Sequence, residues 1–290
     1  MEVAYATTRA PTGVSDPLRF YGQDVGGLRQ GVATVRVPHD PRNGERETGA
    51  PQQRATLVGV RSGTGAHTDE VLVFVHGFDV RFRGAARRAA QLAYDLGWEG
   101  RVAFFSWPSL GTYGGDEVRV LHAATALKDW LVELALQGTT VHVLAHSLGA
   151  RAVTTALRAL ANEEDPPSFG HVVLVAPDIA ADDFTDAIAP AIAPLVERIT
   201  VYASAHERAL HYDLDADSVG DTEEGVTLSE HFDTIDASAV NTSLLGHARL
   251  DDRESVVTDI AALLNGDERP WRLEQRIGQR RYWTLEAPPR

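Results

Sequence analysis

The sequence predicts an α/β architecture, a mostly parallel central sheet with helices on both faces, preceded by antiparallel strands. Two observations carry this. From residue 70 onward, near-continuous apolar runs recur, VLVFV (71–75), RVAFFSW (101–107), TVHVLA (140–145), HVVLVA (171–176) and ITVYA (199–203), as expected of strands buried on both faces. The stretches between them carry apolar residues at helical spacing and end on glycine.

Residues 1–60 read differently. Short β-like runs, VAYATT, GVATVRVP and ATLVGV, alternate with loops such as PHDPRNGERETGAPQQ, and these are antiparallel leading strands. After VLVFV a helix from about Gly84 aligns Ala85, Ala89, Leu92 and Leu96, and Gly97 is placed for a left-handed cap. The helix after RVAFFSW starts with Asp116 as N-cap, carries Val120, Ala124, Leu127, Leu131 and Leu134, and stops at Gly138. Past TVHVLA, a third helix buries Val153, Ala156, Leu157 and Leu160 and runs out near Asn162. HFDTID (231–236) is a further strand, DDRESVVTDIAALLNG a final helix burying Val256, Ile260 and Leu263, and the tail WRLEQRIGQRRYWTLEAPP a strand or hairpin laid against the body.

No repeat or long linker divides the chain, so 1–290 reads as one domain: a β extension (1–60), a core (70–266) and a tail (267–290). About twenty residues separate HVVLVAPD from ITVYA, too few for a large cap domain there. The 41 acidic against 27 basic residues give a net charge of −14, a field that repels phosphate backbones and argues against nucleic acid. Cysteine is absent, which removes disulfides and thiolate chemistry. The N-terminus carries no signal-peptide pattern and no window is long and apolar enough to span a membrane, so the expectation is a cytoplasmic protein. Oligomeric state is left open.

The chemistry centres on AHSLG (145–149). A strand, a serine between small residues and a helix make a nucleophile elbow, although Ala145 stands where the motif usually has glycine. Ser147 is the candidate nucleophile, and it needs a base and a group that orients the base. Acyl transfer also needs two N–H groups aimed at the oxyanion. His76-Gly77-Phe78 ends an earlier strand, so Phe78 and Leu148 are the candidate amide donors. Trp107 and Tyr113, in FSWPSLGTYGG, either line an acyl pocket or pack the loop, and packing is the reading for Trp107. His142 and His171 lie within strands and read as structural.

Taken together, HGF, FSWPSLGTYGGDE, AHSLG, VAPDIAADDF, YASAHERAL and LGH resemble the α/β-hydrolase superfamily and, more narrowly, the uncharacterised α/β-hydrolase family DUF900. YATTRAP and GVATVRVP are similar to that family's N-terminal extension. The resemblance implies the α/β-hydrolase fold and a triad of Ser147, His247 in LGHARL and Glu207 in YASAHERAL, where the family carries aspartate. Asp178 is the alternative acid, because some α/β-hydrolases take it from the preceding strand. The expected activity is a serine esterase acting on a small ester or acyl substrate, with no metal or cofactor. Its rate should rise with pH as His247 loses its proton near roughly 6.5. A non-catalytic protein of the same fold and an acyltransferase are the alternatives. DLDADSVGDTEE (213–224) has acidic residues at calcium-loop spacing but Ser218 where that loop needs glycine, so it reads as a solvated acidic loop.

Overall fold

The computed structural model describes residues 1–37, 55–65, 67–98, 100–205, 217–223, 225–240, 254–267 and 271–285. Eleven strands form one sheet in the order β10-β11-β9-β8-β7-β6-β4-β5-β1-β2-β3. They are β1 (Glu2–Pro11), β2 (Tyr21–Arg36), β3 (Thr56–Ser62), β4 (Glu70–Val75), β5 (Arg101–Ser106), β6 (Thr140–His146), β7 (Phe169–Val175), β8 (Val196–Ala203), β9 (Asp233–Asp236), β10 (Arg272–Ile277) and β11 (Arg280–Leu285). Every neighbouring pair from β1–β5 through to β9–β11 is parallel. Antiparallel pairing is confined to the two ends, β1–β2, β2–β3 and β10–β11.

The leading strands are antiparallel among themselves as expected, but β1 also inserts parallel to β5, so the N-terminal segment extends the central sheet. The tail is a hairpin joined to it through β9.

Alternation along the central strands builds two cores. Val71, Val73 and Val75 face one side with Val141, Val143, Ala145, Val172 and Leu174, beneath α2 (Tyr113–Leu136) and α3 (Gly149–Ala161). Leu72, Phe74, Leu144, Val173 and Val175 face the other, beneath α1 (Phe82–Leu96) and the final helix Glu254–Asn265. Strands covered on both faces lack exposed positions, hence the unbroken apolar runs. The stripes expected on α1, α2, α3 and the final helix are buried, and Gly97 takes the left-handed cap with φ 57°.

One boundary differs. α2 begins at Tyr113 with Thr112 as N-cap, so Asp116 lies inside the first turn. Gly114-Gly115 weakens the helical signal there. The Asp116 carboxylate instead holds the preceding loop, accepting from Ser109 Oγ, from Leu110 N at 2.5 Å and from Gly111 N at 3.4 Å.

A second buried carboxylate fastens the tail. Asp259 accepts from Tyr202 Oη (2.5 Å), Trp271 Nε1 (2.7 Å) and Arg272 Nε and Nη2 (2.7 and 2.6 Å). No described helix is long and apolar enough to cross a membrane.

Candidate active site

The parallel strands β4, β6 and β7 lie side by side and end at one edge of the sheet. Three non-glycine residues with left-handed backbone stand at these ends: Asp79 (φ 48°), Ser147 (φ 50°) and Ala176 (φ 43°). Such a conformation costs about 1–3 kcal/mol at each residue and persists only where the surroundings enforce it. At Ser147 the enforcement is visible. Ser147 N donates to Val175 O at 3.1 Å, while Ser147 O accepts from Ala150 N at 2.9 Å and Asp178 N at 3.4 Å. The turn passes from β6 into α3 within two residues and leaves Ser147 half-buried.

The small residues around the serine have a steric cause. A Cβ on Gly149 would lie 2.6 Å from His76 O and 2.7 Å from Val75 O, so α3 can start against the end of β4 only with glycine there. A Cβ on Gly77 would lie 2.8 Å from His146 O and 2.9 Å from Ser147 Cβ. The His76-Gly77-Phe78 turn and the serine turn therefore meet. Neither Phe78 N nor Leu148 N donates a backbone hydrogen bond among the described residues.

His76 is fully buried. Its Nδ1 is 2.9 Å from Gly77 O and its Nε2 is 3.3 Å from Ser106 Oγ. Trp107 stacks on the ring at 5.0 Å and donates Nε1 to His76 O at 2.7 Å, so Trp107 packs the turn. Burial first, then the Arg9 charge, hold His76 well below the usual imidazole range. His146 is pushed down to about 4 by burial and by the Arg88 guanidinium, so both imidazoles are neutral at neutral pH.

Asp178, the alternative acid, follows β7 and is buried. Its Oδ2 accepts from Tyr113 Oη at 2.5 Å and its Oδ1 from Arg151 Nη2 at 3.2 Å, while Arg151 Nε donates to Asp178 O at 2.6 Å. Glu117 completes the cluster, 2.6 Å from Arg151 Nη1. Burial, then the bond to Asp178, push the Tyr113 phenol up, so it stays a donor. The Tyr113 and Phe78 rings are neighbours at 6.0 Å.

The structure thus brings together Ser147, Leu148, Phe78 and Asp178. Glu207 and His247 lie outside the described residues, as do 213–216 and 224 of the acidic segment. Ser218 of that segment donates to Pro177 O at 2.8 Å, and Val219 N donates to Ile179 O at 2.9 Å, laying 217–220 across the exit of β7. His142 and His171 are structural: His171 N donates to His142 Nδ1 at 3.0 Å within the stacked pair. Sequence reasoning passed over Arg9, Ser106 and Arg151. Arg9 could have been noticed as an arginine at a core-facing strand position and Arg151 as a basic residue in the first turn of α3, while Ser106 carries no signal of its own.

No curated protein sequence matches the chain. Among solved structures, it is similar to carboxyl esterase 2 from the mycorrhizal fungus Tuber melanosporum, with 11% identity, TM-score 0.46, and 81% of this chain and 87% of that one covered. It is also similar to phospholipase PlaB from Legionella pneumophila, with 10% identity, TM-score 0.37, and 75% and 67% covered. Residues 61–265, most of the chain, match a family defined by sequence. The protein belongs to that family, the alpha/beta hydrolases of unknown function called DUF900.

Proposed function

We propose that the protein is a serine hydrolase acting on carboxylic esters through an acyl-enzyme. Ser147 attacks the carbonyl, His247 takes its proton and returns it to the leaving alcohol, and Glu207 orients His247. The Phe78 and Leu148 amides receive the oxyanion. The observation that carries this reading is the left-handed Ser147, held against Gly77 at the edge where, among the described residues, neither the Phe78 nor the Leu148 amide donates to another backbone group. Backbone strain of this kind collects at functional sites.

Asp178 already receives Tyr113 and Arg151, which favours Glu207 as the acid. The Phe78 and Tyr113 rings supply an apolar wall suited to a small acyl group. The unbroken sheet from β10 to β3 supports one domain over 1–290.

Turnover of p-nitrophenyl acetate by the wild type, lost by at least about a thousandfold in Ser147→Ala, is the expected result. Equal rates for the two proteins would refute the proposal.

A further inference from the structure

Arg9 lies on β1, outside the residues 61–265 that match the family. Its side chain is fully buried, yet it forms no ion pair among the described residues. It donates Nε to Ser106 Oγ at 2.9 Å, Nη1 to Gly22 O at 3.0 Å and Nη2 to Val80 O at 2.5 Å. The Asp116 charge favours the cation without contacting it in an ion pair, so hydrogen bonds to three neutral groups are what hold the guanidinium in place.

A guanidinium has no lone pair to offer, so Ser106 Oγ accepts from Arg9 and its own proton is free for another partner. Gly77 O can only accept, so the tautomer that satisfies it puts the ring proton on His76 Nδ1 and leaves Nε2 as the acceptor. The Ser106 hydroxyl then donates to that Nε2, 3.3 Å away. The chain runs one way, from Arg9 through Ser106 and His76 to the Gly77 carbonyl. All three side chains are closed to solvent, and the Trp107 stack prevents the ring from turning.

The consequence falls on the next amide. The described backbone has no cis peptide, and a trans peptide points its N–H opposite its C=O. Holding Gly77 O toward His76 therefore aims the Phe78 N–H away from the imidazole. We infer that Arg9 and Ser106 are positioning residues, which fix the Gly77–Phe78 peptide through His76 so that the Phe78 amide is pre-aimed at the oxyanion. This rests on the reading of Ser147 as nucleophile and Phe78 as donor. It gives the N-terminal strand a part in catalysis.

The test compares full-length wild type with Ser106→Ala, Arg9→Met and Ser147→Ala. It uses p-nitrophenyl acetate kinetics, fluorophosphonate labelling and the Phe78 amide cross-peak in a ¹H–¹⁵N spectrum. Ser106→Ala and Arg9→Met should each lower kcat about tenfold, since oxyanion donors act in the transition state. KM should stay within about twofold, and the Phe78 cross-peak should move. Should Arg9→Met fail to fold, Ser106→Ala, which removes one oxygen, decides. If folded Ser106→Ala keeps kcat within about twofold and the Phe78 peak unmoved, the relay is overturned while Ser147 stands. If the wild type neither turns over ester nor is labelled, the Ser147 reading falls, and the catalytic role of Arg9 and Ser106 with it.

Discussion

Gly77 and Ser147 touch across the ends of β4 and β6: a methyl group on Gly77 would stand 2.9 Å from Ser147 Cβ. His146 O would lie 2.8 Å away and His146 Nδ1 3.1 Å away, so the methyl group would press on a backbone oxygen and on the stem of the serine side chain, neither of which is the far end of a flexible chain. Gly77→Ala must displace the serine turn from the Phe78 amide. The expected outcome is a loss of roughly a hundredfold in kcat/KM, the usual penalty of a misplacement near 1 Å. Ester kinetics with circular dichroism as a folding check measure it.

The acid is assigned by two substitutions. With the Asp178 carboxylate engaged by Tyr113 and Arg151, Glu207→Gln should lower kcat by about a hundredfold or more, while Asp178→Asn acts chiefly on stability. Tyr113→Phe should cost about 1 kcal/mol of stability, read by urea denaturation. A larger rate loss in Asp178→Asn than in Glu207→Gln would exchange the two roles.

Acid should destabilise the fold before most carboxylates titrate. His142 is pushed down to about 4 by burial and then by the His171 charge, and His146 down to about 4 by burial. The unfolded imidazole titrates near roughly 6.5. Because the folded values lie lower, the stability these residues contribute is complete above about pH 6.5 and is lost as pH falls toward 4. Urea midpoints measured between these limits should fall steadily, by up to about 1.4 kcal/mol per pH unit for each such histidine. His142→Gln should flatten the slope.

Asp259 is the anchor of the C-terminal hairpin. Asp259→Ala removes the partner of Arg272, whose side chain is only 7% exposed. An abandoned buried charge costs about 3–5 kcal/mol. Urea denaturation should show that loss, and limited proteolysis should cut the hairpin earlier than in the wild type.

The strands, the helices and the elbow were legible because each rests on local periodicity and local sterics. The apolar run of β4, the stripe of α1 ending on Gly97 and the small residues around Ser147 announce themselves within a few positions. The hydrogen-bonded chain behind the His76-Gly77-Phe78 turn was not legible. Arg9 and Ser106 are 97 residues apart and meet only because β1 inserts parallel to β5, a pairing that no local pattern encodes. Asp116 misled for a related reason. A carboxylate after two glycines has the look of an N-cap, but here it serves the loop behind it. The likeness to DUF900 reached the right family through motifs at strand ends, where the turn geometry constrains residue type most tightly.

That Ser147 is the nucleophile can be read by covalent labelling. Wild-type protein treated with a fluorophosphonate should gain one adduct by intact-mass spectrometry, the adduct should map to the peptide containing Ser147, and Ser147→Ala should gain none. An unlabelled wild type, or labelling that survives Ser147→Ala, would contradict it.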